Sequence, residues 1–130
     1  MRLKVAVNYE ALKQIVDETC LRLNDLALDI QTGKDAKAAQ SIQIFSGVSE
    51  KVLRIIHQME VQGLLTFSED NGNHLKTVIM EFGSLVKDFL LAYEKQDTVL
   101  VGDIAEYEAS VKLQELYEAV INSKAVQEKK

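Results

Sequence analysis

Apolar residues recur in alternating steps of four and three along three long segments of the chain. A helix turns by about 100° per residue, so positions with this spacing share one face. Steps that average three and a half residues are typical of left-handed helical bundles. The pattern predicts three amphipathic helices at about 9–32, 35–65 and 73–95. Their stripes are Leu12, Val16, Thr19, Leu23, Leu26 and Ile30; Ala38, Ile42, Phe45, Ser49, Val52, Ile56, Met59 and Gly63; and Leu75, Val78, Phe82, Leu85, Phe89 and Ala92.

Residues that cap helices or form turns lie between these stripes. Asn8 precedes the first helix and can cap it, and Gly33 can adopt the left-handed conformation that closes it. Asp35 is the next candidate cap, so the intervening turn is short and the second helix should return antiparallel to the first. Turn-forming residues at 68–73 separate the second and third helices. Asp97 is the best cap for a fourth helix, at about 97–122.

The fourth helix differs from the other three because it has two apolar faces. The first face, which we predict to face the core, is formed by Leu100, Ile104, Tyr107 and Val111. The second face is formed by Val101, Ala105, Ala109, Leu113, Leu116 and Val120. A helix that is apolar on two sides is usually central or shared with a partner. The second face therefore either completes the core or meets another copy or a client protein.

Four helices joined by short turns predict an all-α fold, an antiparallel four-helix up-down bundle, with residues 1–122 as one domain. The absence of proline among the 130 residues is consistent with long uninterrupted helices. Residues 2–7 alternate between polar and apolar, which predicts a short extended segment, and residues 123–130 are expected to form a frayed polar tail. Gly47, Gly83 and Gly102 lie inside predicted helices, where they are either tolerated or allow close backbone approach.

The net charge of −5 and the pI near 5.0 argue against a protein that binds nucleic-acid phosphates or an anionic membrane. The negative charge is concentrated in the fourth helix, where six carboxylates, including those of Asp103, Glu106 and Glu108, accompany one lysine. This surplus equals the net charge of the whole chain. The acidic residues form either a solvated outer face or a docking surface whose field attracts a basic partner.

The single cysteine, Cys20, excludes an internal disulfide framework and a cysteine-based zinc site. A reducing compartment, the cytoplasm, is the simplest interpretation. The first ten residues lack the continuous apolar run of a signal peptide, and no segment approaches the roughly 18 apolar residues of a membrane span.

The sequence offers few candidates for chemistry. Di-iron bundles carry Glu-x-x-His motifs, but neither histidine has a glutamate three residues before it, so we predict no metal and no cofactor. Histidine phosphotransfer domains are also four-helix bundles, with a motif that resembles His-x-x-Lys-Gly. Here the sequence is His74-Leu-Lys-Thr, in which the lysine comes one place too early. No Ser-His-Asp or Cys-His arrangement can be nominated, which makes an enzyme the least favoured class.

Residues 97–108, with their D, VL, D and EYE pattern, resemble a run found in small uncharacterised all-helical proteins of Gram-positive bacteria. The resemblance implies a bacterial cytosolic protein and no activity.

We expect a non-enzymatic helical interaction module, adaptor or chaperone-like, which self-associates as a homodimer and binds a protein partner such as an amphipathic helix or a basic surface. The predicted contact residues are Val101, Ala105, Ala109, Leu113, Asp103, Glu106 and Glu108. The alternative is a regulatory phosphotransfer domain that uses His74.

Overall fold

The computed structural model describes residues 8–65 and 71–123, and this part of the chain is all-helical. Helix α1 is Tyr9–Gln31, α2 is Asp35–Val61 and α3 is Asn71–Glu94. The fourth helix, α4, spans residues 98–122 and consists of the α-helical segment Thr98–Ile104, the π-helical turn Ala105–Ala109 and the α-helical segment Ser110–Asn122. The predicted extended segment 2–7 lies outside the described residues. So does the predicted tail, apart from Ser123, which is buried.

The ends of the helices follow the local sequence. The side chains of Asn8 and Asp97 each accept a hydrogen bond from the backbone N–H three residues later, at 3.0 and 3.1 Å, and so cap α1 and α4 as predicted. Gly33 and Gly63 have φ angles of +75° and +72°, which let the chain leave α1 and α2 without strain. Helix α2 ends at Val61, before the predicted boundary at 65, and Asp35 is its first residue rather than its cap.

The three predicted stripes form the core. Only Ile30 and Gly63 are not fully buried, because each lies at or beyond the end of its helix. The aromatic ring of Phe45 in α2 contacts the rings of Phe82 and Phe89 in α3 edge to face, with centroids 6.1 and 5.1 Å apart. These contacts confirm the four-three spacing as the pattern that selects the inward side of α1, α2 and α3.

Helix α4 packs on both α1 and α3. Its contacts with α1 run in opposite order along the two helices: the hydroxyl of Tyr117 donates to the carbonyl of Tyr9, and further along, the thiol of Cys20 donates to the carbonyl of Ser110. Helix α2 packs closely against α1, whereas its backbone has little contact with that of α3. Helix α4 therefore connects the pair formed by α1 and α2 to α3.

The π turn explains how α4 can keep one face inward over its whole length. Val101, Ala105, Ala109 and Leu113 are separated by three successive steps of four. In an α-helix each such step advances about 40° beyond a full turn, so three steps would carry a side chain about 120° around the axis. The N–H of Ser110 instead bonds to the carbonyl of Ala105, five residues back, and the wider turn absorbs much of this rotation.

Gly102 lies where α1 and α4 come closest. A Cβ atom at this position would be 3.1 Å from Cβ and 3.2 Å from Cα of Ala27, tighter than most side-chain contacts. Gly47 and Gly83, by contrast, have nothing within 4 Å of the corresponding position. Of the three interior glycines, only Gly102 is therefore required for close approach.

We predict that Gly102→Val will lower the free energy of unfolding by about 1–3 kcal/mol, because the added atoms must force α1 and α4 apart. Gly83→Val is the matched control, and its effect should stay within about 0.5 kcal/mol since its site is exposed and open. Urea unfolding followed by circular dichroism measures both. Equal effects of the two substitutions would show that the α1–α4 contact is not close.

Candidate interaction surface between α3 and α4

The second apolar face of α4 belongs to the core. Val101 is 1% exposed, and Ala105, Ala109 and Leu113 are fully buried within the single chain. The expectation that these four residues contact a partner is therefore corrected. The physical reason is that Gly102, Ala105 and Ala109 let α4 fit closely between α1 and α3, so that this face is covered within the chain.

The first apolar face of α4, predicted to face the core, instead faces solvent over most of its length. Tyr107 is 70% exposed, Val111 is 60% exposed and Leu100 is 44% exposed, whereas Ile104 alone is buried. The prediction that Tyr107 buries its ring is wrong, because the π turn keeps the other face inward. An apolar stripe on a well-formed helix thus remains available for contact with another molecule.

The exposed face borders a groove between α3 and α4, which we call the α3–α4 groove. It consists of two open cavities of about 400 and 390 Å³ that share Leu85, Asp88 and Glu108. The first is lined by Leu85, Asp88, Leu91, Ala92, Lys95, Asp97, Leu100, Ile104 and Glu108. The second is lined by Glu81, Ser84, Leu85, Asp88, Tyr107, Glu108, Val111 and Lys112. The groove therefore combines an apolar lining with acidic side chains.

Lys112 lies at one end of this groove, and two carboxylates of the chain compensate its positive charge. Its ammonium group lies 2.7 Å from the carboxylate of Glu115 and 2.8 Å from that of Glu81. Hydrogen bonds to Glu115 and then to Glu81 raise the pKa of Lys112, so it stays charged and engaged with these acids. Its positive charge is therefore compensated within the chain.

The remaining acidic residues carry the electrostatic character of the groove. Asp88 and Glu108 line both cavities and form no ion pair within the described part of the chain. Asp103 is exposed and Glu106 is half-buried on the same helix. A hydrogen bond to Glu106, together with the charges of Glu106 and Asp103, raises the pKa of the Tyr107 hydroxyl. The predicted acidic contact residues therefore do lie at the surface, beside the exposed apolar stripe.

A family model described as "Domain of unknown function (DUF8042)" matches residues 9–119, which include most or all of each helix. The chain belongs to this family. This DUF8042 chain is also similar to an uncharacterized protein of Treponema pallidum (strain Nichols). The two are 26% identical over 100 residues, and the match covers 77% of this chain and 50% of the relative. The chain thus spans about half the length of the curated relative it matches. No solved structure matches.

These matches confirm that the DUF8042 chain resembles uncharacterised proteins, and neither of them bears on the predicted Gram-positive origin. The family description names no activity, ligand or partner. The surface geometry is therefore the main source of a functional hypothesis for this DUF8042 domain.

Other candidate groups offer less. His57 and His74 are both exposed, His74 near the start of α3. Among residues 8–65 and 71–123, no group of three or more histidine, cysteine or acidic side chains is placed to hold a metal ion. None of the helices within that same part of the chain has the length and apolar content needed to cross a membrane.

A third cavity, of about 490 Å³, lies at the opposite side of α4, near the start of α2 and the turn between α3 and α4. Its lining is mainly apolar, with polar groups from Asp35, Tyr93, Gln96 and Thr98. Gln96 adopts a left-handed φ of 60° in that turn. None of the described buried polar side chains that lack a hydrogen-bond partner lines this cavity, so we assign no ligand to it.

The thiol of Cys20 is held inside the α1–α4 interface. It donates a hydrogen bond to the carbonyl of Ser110 at 3.4 Å, and burial, followed by the charge of Asp17, raises its pKa to about 11. A thiol with a raised pKa is a poor nucleophile at neutral pH. Cys20 is therefore a packing residue, as its position beside the core stripe predicts.

Sequence reasoning missed the α3–α4 groove because it placed the wrong face of α4 inward. The signal that could have raised the question is the run of three successive four-residue steps from Val101 to Leu113, which drifts by about 120° around a regular α-helix. A π turn reduces such a drift, so this run is a place where one can occur. Leu91, at 44% exposure, lies outside the predicted stripe of α3, and no sequence signal pairs it with Leu100 across the groove.

We predict that the free energy of unfolding will fall as the pH rises from 9 to about 11, partly because of Cys20. In this window the thiol of the unfolded chain ionises while the folded thiol keeps its proton, so a rise in pH favours unfolding. Below pH 9 the thiol is protonated in both states, so Cys20 does not lower the free energy of unfolding there. Cys20→Ser replaces the thiol donor by a hydroxyl donor that does not titrate in this range, so the pH profile of the variant should be flatter. Urea unfolding across this pH range measures the difference, and identical slopes would contradict the raised pKa.

Proposed function

We propose that this chain is a non-enzymatic helical interaction module of the bacterial cytosol, adaptor or chaperone-like, which binds a protein partner through the α3–α4 groove. The observation that carries the proposal is the exposed apolar stripe of Leu100, Tyr107 and Val111 on a helix whose other side is fully packed. Large apolar side chains grouped on one surface and surrounded by a polar rim are typical of a protein-binding site.

We further propose that the four helices form an antiparallel up-down bundle around one core. In support, the α1–α4 contacts run in opposite order along the two helices. The contacts between α3 and α4 do so as well, since Glu81 pairs with Lys112 while Leu91 shares a cavity with Leu100. This arrangement holds α3 and α4 side by side, so the groove has fixed walls before any partner arrives. Preformed walls reduce the entropy that is lost on binding.

The acidic residues that the sequence predicts as contacts are part of the proposal. Asp103, Glu106 and Glu108 lie along the solvent side of α4, beside the apolar stripe. Charges at the rim of an interface act mainly on the rate of association and on the choice of partner, whereas the apolar residues supply most of the affinity. The groove therefore has both parts that a selective docking surface needs.

Self-association as a homodimer is the second part of the proposal. Two copies that meet through the same face bury the apolar stripe but bring like charges together, as a two-fold interface requires. Screening by salt reduces this repulsion. We therefore expect any dimer that uses the groove to be weak and to become tighter at high salt.

We predict that the wild-type chain will sediment as a concentration-dependent dimer at tens of micromolar, with Val111→Glu raising the dissociation constant at least about tenfold. Leu21→Glu is the matched control, since Leu21 is similarly exposed, at 65%, but lies on α1. Sedimentation equilibrium at about 0.05 and 0.5 M salt should also show tighter association at the higher value. A chain that stays monomeric under both conditions would remove self-association from the proposal.

A phosphotransfer role for His74 is the second candidate function, favoured by the exposure of this histidine on a helix. If it applies, incubation with acetyl phosphate should add one acid-labile phosphoryl group that intact-mass spectrometry detects. His74→Ala should abolish the addition, while His57→Ala, which removes the other exposed histidine, should not. An unmodified wild-type chain would exclude this alternative.

A further inference from the structure

We propose that the occupant of the α3–α4 groove is an amphipathic helix of another protein, with lysine or arginine on either side of its apolar stripe. This inference rests on the proposed function, because it names the partner for the same surface. It is carried by the shape of the groove, by the position of its apolar residues and by the sign of its uncompensated charges.

The groove is long enough for a docked helix. Its lining on α3 extends from Glu81 to Ala92, a rise of about 16 Å at 1.5 Å per residue, and Lys95 lies in the turn just after this helix. A partner helix of about 11 residues has the same length. Helices bind in such grooves through apolar side chains at spacings of three and four residues, which lie along one stripe.

The apolar residues are arranged as a floor and two walls. Leu85 and Ile104 are buried at the floor, with exposures of 8% and 5%. Leu91 on the α3 side and Leu100, Tyr107 and Val111 on the α4 side are exposed above them. A stripe of leucine or isoleucine side chains can therefore contact both helices at once, which an extended or polar segment would do less well.

The charged residues of the groove determine which charge the partner helix should carry. Asp88 and Glu108 line both cavities at the middle of the groove, and neither has an ion-pair partner in the described part of the chain. Lys112 is already held by Glu81 and Glu115, which leaves Lys95 as the basic group at the other end. Basic side chains flanking an apolar stripe would meet these carboxylates, whereas acidic ones would be repelled.

A second copy of this chain fits the groove less well than a basic helix. In a two-fold dimer each residue of the surface faces the same surface on the partner, so the carboxylates of Asp88 and Glu108 would come close to their own counterparts. Nucleic acids and anionic membranes would meet the same repulsion. A basic helix is the occupant that satisfies both the apolar and the acidic parts of the groove.

The test uses two fluorescently labelled synthetic helices of the same length and with the same leucine positions, one with lysine and one with glutamate at the flanking positions. Fluorescence anisotropy with the full chain should show that the lysine helix binds at least about ten times more tightly than the glutamate helix. Its affinity should fall by about tenfold between low and high salt, since the flanking charges are solvent-exposed.

Charge-neutral variants locate the binding site. Asp88→Asn combined with Glu108→Gln should weaken binding of the lysine helix by about tenfold without changing the melting temperature, because neither side chain forms an ion pair with any residue that the structure describes. The control, Asp25→Asn combined with Glu60→Gln, removes the same charge from exposed sites on α1 and α2 and should leave binding unchanged. Val111→Glu should weaken binding through the apolar wall.

The remaining outcomes overturn the inference in distinguishable ways. Equal binding of both helices would show that the groove does not discriminate by charge. Equal loss of affinity in the groove variants and the control variants would place the effect in the overall charge of the protein. If neither helix binds but the chain dimerises in a way that Val111→Glu abolishes, the occupant is a second copy and the proposed function stands. If neither helix binds and the chain is monomeric, the proposed function fails as well.

Discussion

The close contact between α1 and α4 is the constraint on which the rest of the structure depends. Gly102 and Ala27 bring the two backbones together, and Ala105 and Ala109 extend the same line of small side chains along α4. The thiol of Cys20 satisfies the carbonyl of Ser110 just beyond the π turn. Close approach leaves little room for large groups, so the larger apolar side chains of α4 must lie elsewhere. Some reach the core near α3, and others remain in solvent.

The π turn and the exposed stripe are two results of this one constraint. Val101, Ala105, Ala109 and Leu113 all stay on the buried side of α4, and the helix widens for one turn between them. A π turn is less favourable than a regular one and is often found where a helix serves a function. Here the widened turn contains Glu106, Tyr107 and Glu108, which all contribute to the solvent side of α4. The packing of the interior thus determines which residues the surface presents.

The sequence predicted α1, α2 and α3 well because each has a single apolar face in one register. For α1 the spacing from Leu12 to Leu26 left only one side that could be buried, and burial followed it. Caps at Asn8 and Asp97 were predictable for a similar reason, since their side chains act on backbone groups only three residues away.

The buried face of α4 could not be predicted in the same way. Both of its faces are apolar, and periodicity does not show which face packs against the other helices. The small residues are the part of the pattern that decides it: Gly102, Ala105 and Ala109 are all buried, while no glycine or alanine lies on the face of Leu100, Tyr107 and Val111. The groove itself exists because Leu91 and Asp88 of α3 line the same cavity as Leu100 and Glu108 of α4. Such pairings exist only after the helices have packed, so local patterns do not contain them.

The four helices are not held together equally. Helix α2 has a close neighbour in α1, whereas its backbone has little contact with that of α3, and the ring of Phe45 contacts Phe82 and Phe89 across this wider gap. Separation of α2 from α3 therefore breaks few backbone contacts, and we expect this side of the bundle to open at the lowest free energy, as local unfolding starts where contacts are sparse. Such an opening would bring three phenylalanines into solvent while α1, α3 and α4 stay together. The contacts of Phe45 with Phe82 and Phe89 therefore keep this side of the domain closed.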